Sequence, residues 1–127
     1  MRLDTAYLAV TIAFAAMVTF SGVMKIRRDA HTVRVIHEVV GVPLKYFPIL
    51  AACEFAGALG LVLGIRWPLL GIAAAIGLVL YFLGAVLSHL RAGDAKGMGP
   101  AAFTFVAATV ALILRLHLGP HPHWYRF

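Results

Sequence analysis

The sequence predicts an all-α integral membrane protein: a four-helix bundle with a short interfacial helix between spans one and two. Of its 127 residues, 62% are hydrophobic and only 13% are charged, whereas soluble domains have roughly 45 to 50% apolar and about 25% charged residues. The apolar residues gather in four windows, at about 7–24, 47–65, 69–90 and 100–118. Each is close to the roughly 20 residues that a helix needs to cross a membrane. We therefore expect residues 1–127 to form a single four-span membrane domain.

The first window has a competing interpretation as a cleaved signal peptide, because residues 13–15 resemble a small-residue cleavage site. However, Asp4 stands beside Arg2 where a clean basic cluster would be typical, and the apolar run continues to Val23. We interpret this window as a membrane span.

The segment after the first span, about 30–40, combines branched apolar residues near helical spacing with basic and histidine residues between them. This pattern is typical of a helix lying at the membrane surface. Residues 41–43, Gly-Val-Pro, end it. The link at 64–68 is short enough to predict an antiparallel hairpin of spans two and three. The glycine-rich segment 91–100 reads as a solvated connector.

Small residues recur at steps of three or four in spans two and three. The hydrophobic effect does not hold helices together in lipid, so their association depends on close packing. Faces of small residues allow the helix backbones to come into contact. We expect helix packing at five glycines: Gly57, Gly60, Gly64, Gly77 and Gly84.

The formal charge of +6 does not indicate a nucleic-acid partner, because the basic residues lie at the ends of apolar spans. They bear on topology instead. One side of the membrane receives seven of them: Lys25, Arg27, Arg28, Arg34, Lys45, Arg91 and Lys96. The other side receives four: Arg2, Arg66, Arg115 and Arg126. The positive-inside tendency then predicts that the two longer loops are cytoplasmic and that both termini are extracytoplasmic.

Glu54 lies inside the second apolar window. A carboxylate in such a segment costs about 2.5 to 3.5 kcal/mol on insertion scales. An ionised Glu54 would be stabilised by Lys25 or by a charged His89, and without such a partner it would take up a proton. The glycines on its face predict that it points into the bundle.

Because alternate spans reverse direction, several polar residues should meet at the cytoplasmic-side end of the bundle. The candidate ligand-binding residues are Lys25, Glu54, His89, Tyr81, Ser21, Ser88 and Thr104. Three interpretations of this cluster stay open. It could be a buried ion pair that fixes helix register, a pocket for a headgroup, quinone or substrate, or a device for proton or ion coupling.

Other polar residues carry weaker signals. Cys53 is the single cysteine and reads as a small packing residue, since one thiol cannot form an intramolecular disulfide and there is no Cys-x-x-Cys motif. His117, His121 and His123 are interrupted by prolines, which prevent one regular helix from presenting them together, so we predict no metal site. The sequence contains no phosphate-binding glycine loop and no nucleophile elbow, and it identifies no catalytic residue.

Three stretches together resemble the DoxX-like family of small four-span membrane proteins. They are residues 20–26, the pattern Glu54-x-x-Gly57-x-x-Gly60-x-x-x-Gly64, and Gly84-Ala85-x-x-x-His89-x-Arg91-x-Gly93-Asp94. The resemblance extends from about residue 14 to 116. It implies a bacterial inner-membrane protein with Lys25, Glu54 and His89 at the recurrent polar positions. It also implies an association with redox enzymes, in some relatives as a quinone-reducing oxidoreductase subunit.

Three functions are compatible with these observations. The first is a redox-associated subunit that binds a quinone or lipid, or contacts a partner membrane protein, alone or as a homo-oligomer. The second is a small proton-coupled multidrug-type transporter, although the essential acid of that family lies in the first span and no acid here lies deeper in that span than Asp4. The third is a purely structural or assembly protein. Whether the protein is an enzyme is left open by the sequence.

Overall fold

The computed structural model describes residues 3–118, all of them in helices or short connections. Four helices are long: α1 (Leu3–Ile26), α3 (Phe47–Leu63), α4 (Pro68–Arg91) and α5 (Gly99–His117). Between α1 and α3 lie α2 (Ala30–Thr32), a π-helix (Val33–Val39) and a 3₁₀ turn (Leu44–Tyr46). The predicted all-α fold with four spans is confirmed. Arg2 and Arg126, used in the topology argument, and His121 and His123 lie outside the described residues.

The long helices form an antiparallel ring in which α1 packs on α3, α3 on α4, α4 on α5, and α5 returns to α1. The end of α1, the start of α3, the end of α4 and the start of α5 therefore lie together, and we call this the Glu54 end of the bundle. The opposite end carries the α3–α4 turn. All four helices are long and apolar enough to cross a membrane, as expected for a multi-pass membrane protein.

The core is formed by small and aromatic side chains from all four long helices: Phe14, Ala15, Val18, Ala58, Leu61, Ala75, Leu78, Phe82 and Ala108. Phe14 of α1 meets Phe82 of α4 across the centre, with ring centroids 6.0 Å apart. Large apolar side chains also point outward, such as Leu69, which is 81% exposed. Such outward exposure suits a lipid solvent, which receives apolar side chains without penalty.

The segment between α1 and α3 (residues 27–46), which we call the interfacial segment, is helical as predicted, but most of its helix is a π-helix and not an α-helix. Asp29 caps its start by accepting a hydrogen bond from the Thr32 amide at 3.3 Å. The turns then widen, so that the Val40 amide donates to the carbonyl of Val35, five residues back, at 3.1 Å. Such π-turns are rare and local. None of the π-helical residues is buried, so packing does not enforce a regular α-helix here.

Gly57 and Gly60 of α3, and Gly64 directly after it, allow α4 to approach closely. A Cβ at Gly57 would lie 2.5 Å from Leu78 Cδ2, and one at Gly60 would lie 2.7 Å from Ala74 Cβ. A Cβ at Gly64 would overlap the backbone of Gly71. The backbones of α3 and α4 therefore touch beside the turn, where any side chain would separate them.

Gly77 and Gly84 of α4 require a correction, because we expected both to pack against another helix. Both are exposed, and a Cβ at either would meet no atom within 4 Å. The reason is the rotation of α4 about its axis. The positions that face α3 are Gly71, Ala74 and Leu78, and the two glycines fall at the outer edge of that contact.

Candidate functional site

Glu54 lies two turns into α3 and is completely buried. The helix begins with Phe47 and Pro48, where a proline is tolerated because the first amides of a helix have no partner within it. Phe47, Ala51 and Ala58 on the same helix are buried as well. The stripe that carries Glu54 therefore faces the bundle, and its carboxylate depends on other helices for compensation.

Lys25, in the last turn of α1, forms an ion pair with Glu54 through Nζ and Oε1. Its side chain is 8% exposed, and that of Glu54 is 0% exposed. Lys25 Nζ also donates to Ser21 Oγ at 2.9 Å, one turn deeper on the same helix. Of the two cations that the sequence offered to Glu54, the structure thus pairs Lys25 with it.

Tyr81 supplies the third member of the cluster from α4. Its hydroxyl donates to Glu54 Oε1 at 2.7 Å, so one carboxylate oxygen receives both the ammonium and the phenol. The other oxygen, Oε2, is buried and has no hydrogen-bond partner among the described residues. We call Lys25, Glu54 and Tyr81 the Glu54 cluster; it connects α1, α3 and α4.

His89 lies at the same end but has a different partner. Its Nδ1–H donates to Asp94 Oδ2 at 3.0 Å, and Asp94 Oδ1 accepts from the Gly97 amide at 3.0 Å. The connector that we expected to be merely solvated is therefore organised by Asp94. Asp94 is not among the residues predicted for the site, although its position five residues after His89 places both at one helix end.

Ser88 and Thr104 satisfy their hydroxyls within their own helices. Ser88 Oγ donates to the Gly84 carbonyl at 2.7 Å, and Thr104 Oγ1 lies 3.0 Å from the Pro100 carbonyl. Neither hydrogen-bonds to the Glu54 cluster. Of the seven candidate residues, four form one connected set: Ser21, Lys25, Glu54 and Tyr81.

A second buried polar group lies at the opposite end and was missed from the sequence. Arg115 of α5 is 1% exposed, and its guanidinium stands 4.9 Å from the centre of the Tyr7 ring. Tyr7 and Thr11 of α1 are equally buried. The position of Arg115 inside the fourth apolar window was a usable signal, because a cation there needs compensation as much as Glu54 does.

The exposed Cys53 directly precedes Glu54 in α3. The structure therefore does not bury Cys53 as a packing residue. Its thiol is a natural chemical probe of this side of the cluster. Within residues 3–118 no group of three or more His, Cys, Asp or Glu side chains converges as a metal site would require.

Comparison with known proteins gives one match. The sequence model of the DoxX-like family matches residues 9–114, which include α2, α3 and α4 entirely and most of α1 and α5. No curated protein and no solved structure matches the chain significantly. The matched range contains every member of the Glu54 cluster.

Proposed function

We propose, from the premise that the chain belongs to the DoxX-like family, that it is a redox-associated membrane subunit that binds a quinone at the Glu54 cluster. The family match supports a membrane protein in general. The quinone is suggested by the family resemblance, and the chemistry of the cluster is our reason for assigning it to this site. The chain would bind the quinone and hold protons near it, while the electrons come from a partner redox protein.

The observation that carries this proposal is the state of the Glu54 carboxylate. It is fully buried, yet Oε2 has no hydrogen bond among the described residues. Buried polar atoms are normally satisfied, and an exception calls for an explanation such as a ligand or a catalytic role. Oε1, by contrast, is held by Lys25 and Tyr81. One carboxylate oxygen of Glu54 is therefore held by two donors, and the other lacks a donor among the described residues.

Access from the lipid supports a hydrophobic ligand in particular. Tyr81 is half-buried, and Gly77 and Gly84 lie one turn to either side of it on the same face of α4. Both glycines leave open space where a side chain would stand, so no side chain at these two positions shields the Tyr81 ring from the lipid. A quinone ring that arrives from the bilayer meets this open face of α4. In its reduced form it carries hydroxyl groups that can donate to Oε2 or to the Tyr81 oxygen, whose own proton is already donated to Oε1.

The test measures quinone on the purified protein. Protein extracted from membranes in mild detergent should carry quinone detectable by mass spectrometry. Quinone-free protein in nanodiscs, kept under reducing conditions, should bind the hydroquinone of a short-tailed, fully ring-substituted benzoquinone. Full ring substitution disfavours addition of the Cys53 thiol to any oxidised form. Tyr81→Phe should weaken this binding about tenfold, as expected for the loss of one buried hydrogen bond. Bound quinone should also slow the alkylation of Cys53.

The matched control is Tyr46→Phe, the same chemical change at an exposed tyrosine away from Glu54. It should leave quinone binding unchanged. If Tyr81→Phe protein melts at the wild-type temperature and still binds quinone as tightly as wild type, the assignment is wrong.

A structural role is the second candidate, and one observation favours it. The Glu54 cluster ties three helices together, as a register-fixing ion pair would. Under this alternative, substitutions in the cluster lower stability while no quinone binds to the wild-type protein. The two functions are thus separated by the same purified samples.

We further propose that the protein resides in the bacterial inner membrane with both termini extracytoplasmic. The support is the concentration of Lys and Arg residues at the Glu54 end, which the positive-inside tendency favours in the cytoplasm.

A further inference from the structure

A cleft of about 550 Å³ opens at the Glu54 end, between the interfacial segment and the last turn of α4. Its walls are Val40, Gly41, Val42, Pro43, Tyr46, Ser88, Arg91 and Ala92. None of these residues belongs to the Glu54 cluster. The volume lies within the roughly 300 to 1,000 Å³ that small-molecule sites occupy.

The wall made by the interfacial segment is held in place by hydrogen bonds. The Val42 amide donates to the Ile36 carbonyl at 3.0 Å, and His37 Nδ1–H donates to the Val42 carbonyl at 2.8 Å. Gly41 has a φ of 93°, a conformation that other residues adopt only with strain. The side chains of Val40, Val42 and Pro43 then provide an apolar wall.

The opposite wall carries a cation without a counterion. Arg91 is exposed and, within residues 3–118, its guanidinium takes part in none of the side-chain hydrogen bonds or ion pairs. Lys45 adds a second positive charge beside the cleft, with Nζ 5.2 Å from the centre of the Tyr46 ring. Of the carboxylates at this end, Glu54 pairs with Lys25, Asp94 with His89, and Asp29 accepts hydrogen bonds from Thr32. The exposed Glu38 does not line the cleft.

The polar groups on the α4 wall suit a ligand that carries both a phosphate and hydroxyl groups. Arg91 offers a fork of donors that matches phosphate geometry. Ser88 Oγ already donates to the Gly84 carbonyl, so its oxygen is available to accept a hydrogen bond. The cleft thus combines a cation suited to phosphate, a hydroxyl acceptor and an apolar surface at the end of a helix that is long and apolar enough to cross a membrane.

We infer that this cleft binds the headgroup of an anionic phospholipid from the surrounding leaflet. Arg91 binds the phosphate, Lys45 adds long-range attraction, and the valine and proline wall contacts the glycerol and upper acyl carbons. Basic pockets at the cytoplasmic ends of membrane helices are suited to anionic headgroups. The inference is independent of the quinone proposal, because the two sites share no residue.

The experiment uses the purified full-length chain in a neutral detergent. Thermal melts are recorded during titration with dioctanoyl phosphatidylglycerol, dioctanoyl phosphatidylcholine or inorganic phosphate. Phosphatidylglycerol should raise the melting temperature with saturation, whereas phosphatidylcholine and inorganic phosphate should give much smaller shifts. Arg91→Gln should weaken the phosphatidylglycerol titration by about tenfold, the loss expected for a charge-assisted contact.

Lys96→Gln is the matched control, because Lys96 is exposed, lies on the connector after α4 and does not line the cleft. It should leave the titration unchanged. Equal losses in both variants would indicate general charge attraction and overturn the site. Equal stabilisation by inorganic phosphate would overturn the lipid assignment, and so would equal stabilisation by phosphatidylcholine.

Discussion

At the scale of single residues, the buried carboxylate of Glu54 is the group whose charge the bundle must compensate. The carboxylate is fully buried, so its charge must be matched by groups that the fold brings to it. Lys25 supplies the opposite charge and Tyr81 a hydrogen bond. Removing one partner of such a buried pair leaves a charge uncompensated, whereas removing both charges is often close to neutral.

This asymmetry predicts the stability of two variants. Lys25→Met should lower the free energy of unfolding by about 3 to 5 kcal/mol, because it leaves the Glu54 carboxylate without its cation. Adding Glu54→Gln to that variant should recover most of the loss, since glutamine can still accept the Tyr81 hydrogen bond. Denaturation in mixed micelles measures both values. A double variant no more stable than Lys25→Met alone would contradict the ion-pair account.

At the scale of helices, the α3–α4 hairpin depends on backbone contact. Gly64 and Gly71 meet beside the turn, followed by Gly60 against Ala74 and Gly57 against Leu78. These contacts set the rotation of both helices, and that rotation directs Tyr81 toward Glu54. The glycines of α3 are therefore part of what builds the Glu54 cluster, although none of them is polar.

The hairpin contact predicts different effects for two chemically identical substitutions. Gly64→Ala should destabilise the protein by about 1 to 3 kcal/mol, because the new methyl group would overlap the Gly71 backbone. Gly77→Ala is the matched control and should be neutral or slightly stabilising, since its methyl group meets open space. Thermal melts of both variants in one detergent make the comparison. Similar losses in the two would argue against close packing at Gly64.

At the scale of the whole molecule, the alternating direction of the four long helices determines at which end of the bundle each connection lies. The segment between α1 and α3 and the connector between α4 and α5 share one end, and the α3–α4 turn lies at the other. Seven of the eleven Lys and Arg residues belong to the first end. From this imbalance the positive-inside tendency predicts that the Glu54 end faces the cytoplasm.

Accessibility labelling tests that arrangement. In a Cys53→Ala background, Trp67→Cys should react with an impermeant maleimide on intact spheroplasts. Arg28→Cys and Lys96→Cys should react only after the membrane is permeabilised. The expectation rests on Trp67 lying at the α3–α4 turn and the other two at the Glu54 end. Labelling of Trp67→Cys and Lys96→Cys from the same side would contradict the four-span path, and a full exchange of sides would reverse only the orientation.

The sequence by itself determined the class of fold, the four spans and the group of polar residues at one end. These properties follow from local composition and from the reversal of direction at each turn. Lys25, Glu54 and His89 could be assigned to one end in this way, without knowledge of how each helix is rotated about its axis.

Only the tertiary structure decided which of those residues meet. It pairs Lys25 with Glu54 and His89 with Asp94, buries Arg115 and turns Gly77 and Gly84 outward. The physical reason is that helix rotation and register depend on side-chain packing between segments distant in sequence. In lipid, where every face of an apolar helix is tolerated, hydrophobic periodicity does not specify that rotation.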